Sequence, residues 1–279
     1  MLKNGGLKKY EIVIDQCIQD LCYEVQVIIV IRQTLLLIKK FNKKEMVQSL
    51  NTKALITLAY VLRNPRCLIP HVSVSNVSEI DYKAMKECAG IRAVVFDKDN
   101  TLTAPYVNVI HPDAAKGLEN AKEVFGSENV AIMSNSAGTK DDPNYEDAIL
   151  IEEALGIAVI RHDEKKPGGL DSVLSHFDIE DPATLCMVGD RLLTDVVFGN
   201  LYSMLTVHTL PLCKGEENKG DNKVAKLVRS VENKGLYGNW FGSRILLKKE
   251  KLPKHKFWPG EGEAPLRIIS IEDEGSTKS

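Results

Sequence analysis

Two aspartates one residue apart, Asp97 and Asp99, lie in the stretch AVVFDKDNTLTAPY that runs from Ala93 to Tyr106. Carboxylates this close repel each other unless a cation lies between them, and an apolar run that merely had to end could do so with Asn or Gly. Farther along, MVGDRLLTD brings Asp190 and Asp195 behind a second apolar run. Four carboxylates converging on one spot would suit a divalent ion, and magnesium prefers such oxygen-rich, partly hydrated surroundings. Between the two acidic pairs, MSNSAG offers the Ser134 hydroxyl and the Asn135 amide, and DEKKPGG offers Lys166 directly before Pro167. A hydroxyl, free backbone amides and an ammonium on one rim are what a phosphoryl group requires. Lys165 is the alternative to Lys166, and Ser134 has the alternative role of a helix cap. Arg191 reads equally as an ion-pair residue or a substrate contact. The six histidines are scattered, and none is assigned to the metal.

These residues need a scaffold that carries them to one edge. From Ile91 onward, short apolar runs rich in β-branched residues alternate with helical patterns. IRAVVF (91–96), NVAIMS (129–134), IAVIRH (157–162), TLCMVG (184–189) and SMLTVHT (203–209) read as strands. AAKGLENAKEVF (114–125), YEDAILIEEAL (145–155) and GGLDSVLSHF between them read as helices. Unalternating apolar strands separated by helices predict an α/β domain, a doubly wound parallel sheet covered on both faces. Such sheets bind ligands at the carboxyl ends of their strands. Asp97, Ser134, His162 or Asp163, and Asp190 all fall there.

A chain of 279 residues with 44% hydrophobic residues can bury a full-sized core. A net charge of -2 excludes a strongly basic nucleic-acid binder. The six cysteines include no C-x-x-C pair, which reads as free thiols in a reducing compartment. Residues 1–45 are set apart as an extension, a targeting or membrane-surface segment. Within it, YEVQVIIVIRQTLLLIKK is too interrupted by polar residues to span a bilayer, and the lysines that follow suit an anionic lipid surface. The early acids Glu11, Asp15, Asp20 and Glu24 make a poor transit peptide. Residues 46–245 are set apart as the domain that carries these motifs, with its motif core at 91–210. It opens with a helical pattern at 46–65 and an extended lead-in at 67–82, and closes with a basic amphipathic helix at 222–235. Residues 246–279 are a polar tail whose composition suits disorder.

The ordered set D-x-D-x-T, Ser, Lys and G-D-x-x-x-x-D, each at a strand end, resembles the four motifs of the haloacid dehalogenase superfamily of phosphatases. That resemblance implies Asp97 as a nucleophile forming an aspartyl-phosphate, and Asp99 as acid for the leaving oxygen and then base for water. It implies magnesium held by Asp97, the Asp99 carbonyl and Asp190, with Asp195 close by. Thr101 would buttress the loop, while Ser134, Asn135 and Lys166 hold phosphoryl oxygens. About thirty residues separate Asp99 from Ser134 and Ser134 from Lys166, too few for a cap domain, so the site should be open.

The wording around the motifs is closer still to one branch. LIPHVSVSNVSEID, VVFDKDNTLTAPY, KKPGG, VGDRLLTDVVFGN and VRSVENKG resemble the mitochondrial phosphatidylglycerophosphate phosphatases, over roughly residues 46–245. Lys98, part of that branch's pattern, should point away from the metal. The resemblance implies a phospholipid substrate, a place in cardiolipin biosynthesis and peripheral contact with the anionic matrix face of the inner membrane. Two rivals stand beside it: a phosphatase of the same fold acting on a soluble or polynucleotide phosphate, and a non-catalytic membrane-associated scaffold. A near-neutral net charge weighs against a polynucleotide, and intact acids weigh against the scaffold.

Overall fold

The computed structural model describes residues 64–213 and His255. Six strands form one sheet: β1 (Val72–Val74), β2 (Ala93–Phe96), β3 (Val130–Ile132), β4 (Ala158–Val159), β5 (Leu185–Gly189) and β6 (Leu205–Thr209). Their order is β1-β6-β5-β2-β3-β4, and every neighbouring pair is parallel. Five helices accompany them: α1 (Tyr82–Ala89), α2 (Pro112–Phe125), α3 (Glu146–Leu155), α4 (Leu170–Phe177) and α5 (Val197–Leu201).

Strands β2, β3, β5 and β6 are buried at every position, as the unalternating apolar runs require. Because side chains alternate along a strand, the two faces take different residues. Val94, Phe96, Val130, Ile132, Val188 and Val207 form one core layer with Tyr82 and Met85 of α1 and Leu118 and Phe125 of α2. Ala93, Val95, Ala131, Met133, Leu185 and Met187 form the other with Val173 and Phe177 of α4 and Phe198 of α5. Gly117 lets α2 approach closely: a Cβ there would overlap the backbone carbonyl of Val77.

The lead-in at 67–82 is only partly the extended segment predicted. It contains β1, which extends the sheet beside β6 in the register Val72↔Val207, and a short 3-10 turn at Val77–Glu79. The polar sequence YKAMKECA then forms α1, started by the Asp81 carboxylate accepting from the Ala84 N–H and ended by Gly90 at φ 60°. Its buried stripe is just Tyr82, Met85 and Ala89, too sparse to stand out as a periodic pattern. The expected helix at 46–65, apart from Asn64 and Pro65, the helix at 222–235 and the segment 1–45 lie outside the described residues. So does the 246–279 tail apart from His255, which is buried and bonded through Nε2 to the Ala183 carbonyl. No helix among the described residues is long and apolar enough to cross a membrane.

The strand order places the site. The chain leaves β2 outward to β3 and β4, then returns to β2's other side for β5 and continues to β6. The order therefore reverses between β2 and β5, the position at whose carboxyl ends sheets of this kind bind ligands.

Candidate active site

Asp97 follows β2 directly, and its N–H still donates to the Val188 carbonyl of β5 at 2.8 Å. Asp190 follows the last residue of β5, and Asp195 arrives from a tight π-helical turn at Leu192–Val196. The turn fixes the Asp195 carboxylate, which accepts from the Arg191 N–H at 3.1 Å and the Thr194 hydroxyl at 3.2 Å. Gly189 makes room for it, since a Cβ at that position would overlap the carboxylate itself. Asp97, Asp190 and Asp195 each bring a carboxylate oxygen within 4.8 Å of the others.

Lys166 completes this arrangement. Its Nζ lies 2.6 Å from Asp97 Oδ1 and 2.6 Å from Asp195 Oδ1, and its side chain is wholly buried. Burial opposes the charge of the ammonium, but the two carboxylates outweigh it and hold Lys166 above its ordinary range. Asp97 is pushed above the usual carboxylate range by burial, with Lys166 opposing and Asp195 reinforcing the rise. Lys165 points elsewhere and pairs with Asp141 at 2.6 Å, so of the two lysines it is Lys166 that reaches the acids. The Asp97 side chain keeps 13% exposure against 1% for Asp195, which leaves Asp97 as the carboxylate a solute can reach.

Three carboxylates face the Lys166 ammonium, with the Arg191 guanidinium also acting on Asp97, and the cluster still carries more negative than positive charge in a low-dielectric place. An oxygen-only donor set of this kind fits a hard divalent cation, and the cleared space over Gly189 is what lets Asp195 join it. Asp97, Asp190 and Asp195 are the side chains that would hold such an ion.

The rim around them is tied together by side chains. Ser134 is buried beyond β3, and its Oγ accepts from the N–H groups of Ser136 and Ala137 at 3.2 and 3.4 Å, as a turn cap does. Asn135 Oδ1 accepts from the Lys166 N–H at 2.8 Å, so the loop after β3 positions the lysine. His162 adds a second tie, with Nε2 2.8 Å from the Ser134 carbonyl and Nδ1 2.7 Å from that of Glu164. Thr101 is buried in the loop after β2, and its hydroxyl takes no hydrogen bond among the described residues.

Asp99 is placed differently from its partner acid. Its carboxylate does not enter the three-acid cluster; Oδ1 accepts from the Tyr106 N–H at 3.1 Å and pairs with Lys98 Nζ at 2.7 Å. The strand geometry that would point residues 97 and 99 the same way ends at Asp97, because the Lys98 carbonyl accepts from the N–H groups of Thr101, Leu102 and Thr103 and curls the loop. Lys98 stays clear of the three acids but turns onto Asp99 and the Val107 carbonyl, 3.0 Å away. The sequence marks Gly189 only as the glycine of G-D-x-x-x-x-D and His162 only as a strand-end residue; the room Gly189 makes, the ties His162 forms and the Lys98–Asp99 pair do not follow from the motifs. The adjacency of Gly189 to Asp190 was the one available signal, since a glycine ending an apolar strand marks a close approach.

The chain has relatives among known proteins. The family described as Mitochondrial PGP phosphatase matches residues 52–212, which takes in every residue of the site. A chloroplastic phosphatidylglycerophosphate phosphatase 1 of Chlamydomonas reinhardtii is 43% identical over 159 residues, 56% of this chain and 58% of that protein. A chloroplastic/mitochondrial phosphatidylglycerophosphate phosphatase 1 of Arabidopsis thaliana is 42% identical over 173 residues, 61% of this chain and 49% of that protein. The chain thus spans only about half the length of these two relatives. A probable mitochondrial phosphatidylglycerophosphatase of Schizosaccharomyces pombe is 30% identical over 219 residues, 74% of this chain and 98% of that protein. No solved structure is a significant match. A family match that covers more than half of the chain, and a relative aligned over nearly its whole length, lead to one conclusion: the chain belongs to the mitochondrial PGP phosphatase family.

Proposed function

We propose that the protein is a magnesium-dependent phosphatase of the haloacid dehalogenase type, which removes the terminal phosphate of phosphatidylglycerophosphate to leave phosphatidylglycerol. The observation that carries this is the Asp97–Lys166–Asp195 bridge beside Asp190 at the reversal of strand order, in a chain of this family. Asp97, the reachable acid, attacks phosphorus; the bond to the glycerol oxygen breaks as Asp99 gives that oxygen a proton. Asp99 then takes a proton from water, whose oxygen attacks the aspartyl-phosphate and releases inorganic phosphate and free Asp97. Lys166 favours the ionised form of Asp97 against the effect of burial and aims it, and Ser134 with the Asn135 amide receives phosphoryl oxygens. Thr101 supports the loop that carries both acids. The bound cation would supply charge neutralisation between the anionic phosphate and the carboxylates.

Such an enzyme belongs on the anionic matrix face of the mitochondrial inner membrane, in the route to cardiolipin. The test is magnesium-dependent phosphate release from phosphatidylglycerophosphate in mixed micelles, beside glycerol phosphate, nucleotides and phosphatidic acid. Strong preference for the first substrate, lost with chelator and in Asp97→Asn, is the expected result. Equal turnover of the soluble phosphates would remove the lipid assignment, and substantial activity in Asp97→Asn would remove the nucleophile.

A further inference from the structure

The loop between Thr103 and α2 reads Ala104-Pro105-Tyr106-Val107-Asn108-Val109-Ile110 and carries no charged residue. Tyr106 is 66% exposed, Val107 41% and Val109 67%, an apolar tip in a stretch of four positions. Its feet are fixed. Thr103 bridges to both Asp99 and Ile110, the His111 N–H donates to the Leu102 carbonyl at 2.9 Å, and Ile110 packs against the core. Tyr106 itself sits at φ 61°, a left-handed conformation that a bulky side chain rarely adopts. A bulky ring is held out toward solvent on a strained, anchored turn.

The same turn touches the site. The Tyr106 N–H donates to Asp99, and the Val107 carbonyl accepts from Lys98, which pairs with Asp99. The exposed tip therefore stands at the rim beside the proposed acid/base. Under the lipid-phosphatase reading, on which this inference rests, the substrate's phosphate must reach Asp97 while its acyl chains stay in a lipid phase. An uncharged tip of Tyr and Val is suited to the boundary between headgroups and acyl chains, where an aromatic ring with a polar end settles best. We infer that Tyr106, Val107 and Val109 are a lipid-contacting tip, which dips into the surface beside the substrate's headgroup and sets the enzyme over its phosphate. The contact is apolar and so is independent of anionic charge in the bilayer.

Val109 tests this, since among the described contacts its side chain holds nothing in the site. Val109→Asp and Val109→Trp would be compared with the natural full-length protein on two substrates: phosphatidylglycerophosphate in mixed micelles, and its deacylated, water-soluble headgroup. Sedimentation with neutral phosphatidylcholine vesicles would run in parallel. Val109→Asp should lose about tenfold in kcat/KM on the micellar lipid and lose vesicle binding, with headgroup turnover within about twofold of the natural protein. Val109→Trp should shift both lipid readouts the other way. Unchanged lipid turnover and vesicle binding in both variants would overturn the tip, as would an equal loss on both substrates, which would mark a purely structural loop. A change in oligomeric state on light scattering in Val109→Asp would assign the tip to a second copy of the chain instead. A natural protein that hydrolyses the headgroup but not the lipid would bring down the lipid reading itself, and the tip with it.

Discussion

At the scale of single residues, the site is a balance of charge in a place with little water. Lys166 lies between two carboxylates that would otherwise face each other unscreened. Lys166→Met should lower unfolding free energy by about 3 kcal/mol in metal-free buffer, because it strands buried charge rather than removing a pair. Magnesium should restore part of that loss, which denaturant titration with and without the ion would show; equal stability of variant and natural protein would argue against a buried bridge. Gly189→Ala probes the opposite requirement. The added methyl must displace the Asp195 carboxylate, so the variant should fold but respond weakly to magnesium in thermal melts, and an undiminished response would dismiss the role of Gly189. Asp97 and Asp190 were legible as acids at strand ends and Asp195 by its spacing from Asp190, whereas the sequence left Lys165 open beside Lys166. Lys98 as the partner of Asp99 was not, because its direction depends on a loop that leaves strand geometry after a single residue.

Among the elements, the apolar runs at β2, β3 and β5 could be read directly, since strands buried on both faces are written in continuous apolar sequence. What escaped was the far edge, where β1 is three residues long and held by polar bonds that leave no periodic trace. His71, just before β1, accepts at Nδ1 from the Thr206 N–H of β6 at 3.1 Å and lies 2.7 Å from the Thr206 hydroxyl. Burial, with the neighbouring His255, lowers its pKa to about 3. The folded value lies below the unfolded one, so the unfolded chain binds the extra proton. Stability from this group is complete above about pH 6.5 and is lost as pH falls toward about 3, at up to about 1.4 kcal/mol per pH unit. His71→Asn keeps an accepting oxygen and cannot titrate. It should flatten the fall in unfolding free energy between pH 6.5 and 4 by one proton, and an unaltered slope would show that His71 is not the group responsible.

For the whole molecule, a cation bound only by the folded state should raise its stability by mass action, about 2.7 kcal/mol at a hundredfold excess over Kd. Asp190→Asn should abolish that rise, and a rise that persisted would move the ion elsewhere. Under the proposed function, membrane association would have two separable parts. The basic residues Lys223, Lys226 and Arg229 should favour cardiolipin-rich vesicles and weaken with salt, whereas the tip at 106–109 should not. Replacing the three with Gln and finding unchanged sedimentation at low salt would remove the first part. The central seam of the sheet also has a bearing on biosynthesis. β2 pairs with β3 and β5, yet β5 is made about ninety residues after β2. While the ribosome is still extending the chain, β2 can acquire β3 on one side but presents a bare apolar edge on the other. Asp97 is already outside, without Lys166, Asp190 or Asp195 to complete it. Under the proposed mechanism, nascent chains would be inert toward phosphate esters and most prone to stick to one another during the same interval, which ends when β5 takes its slot.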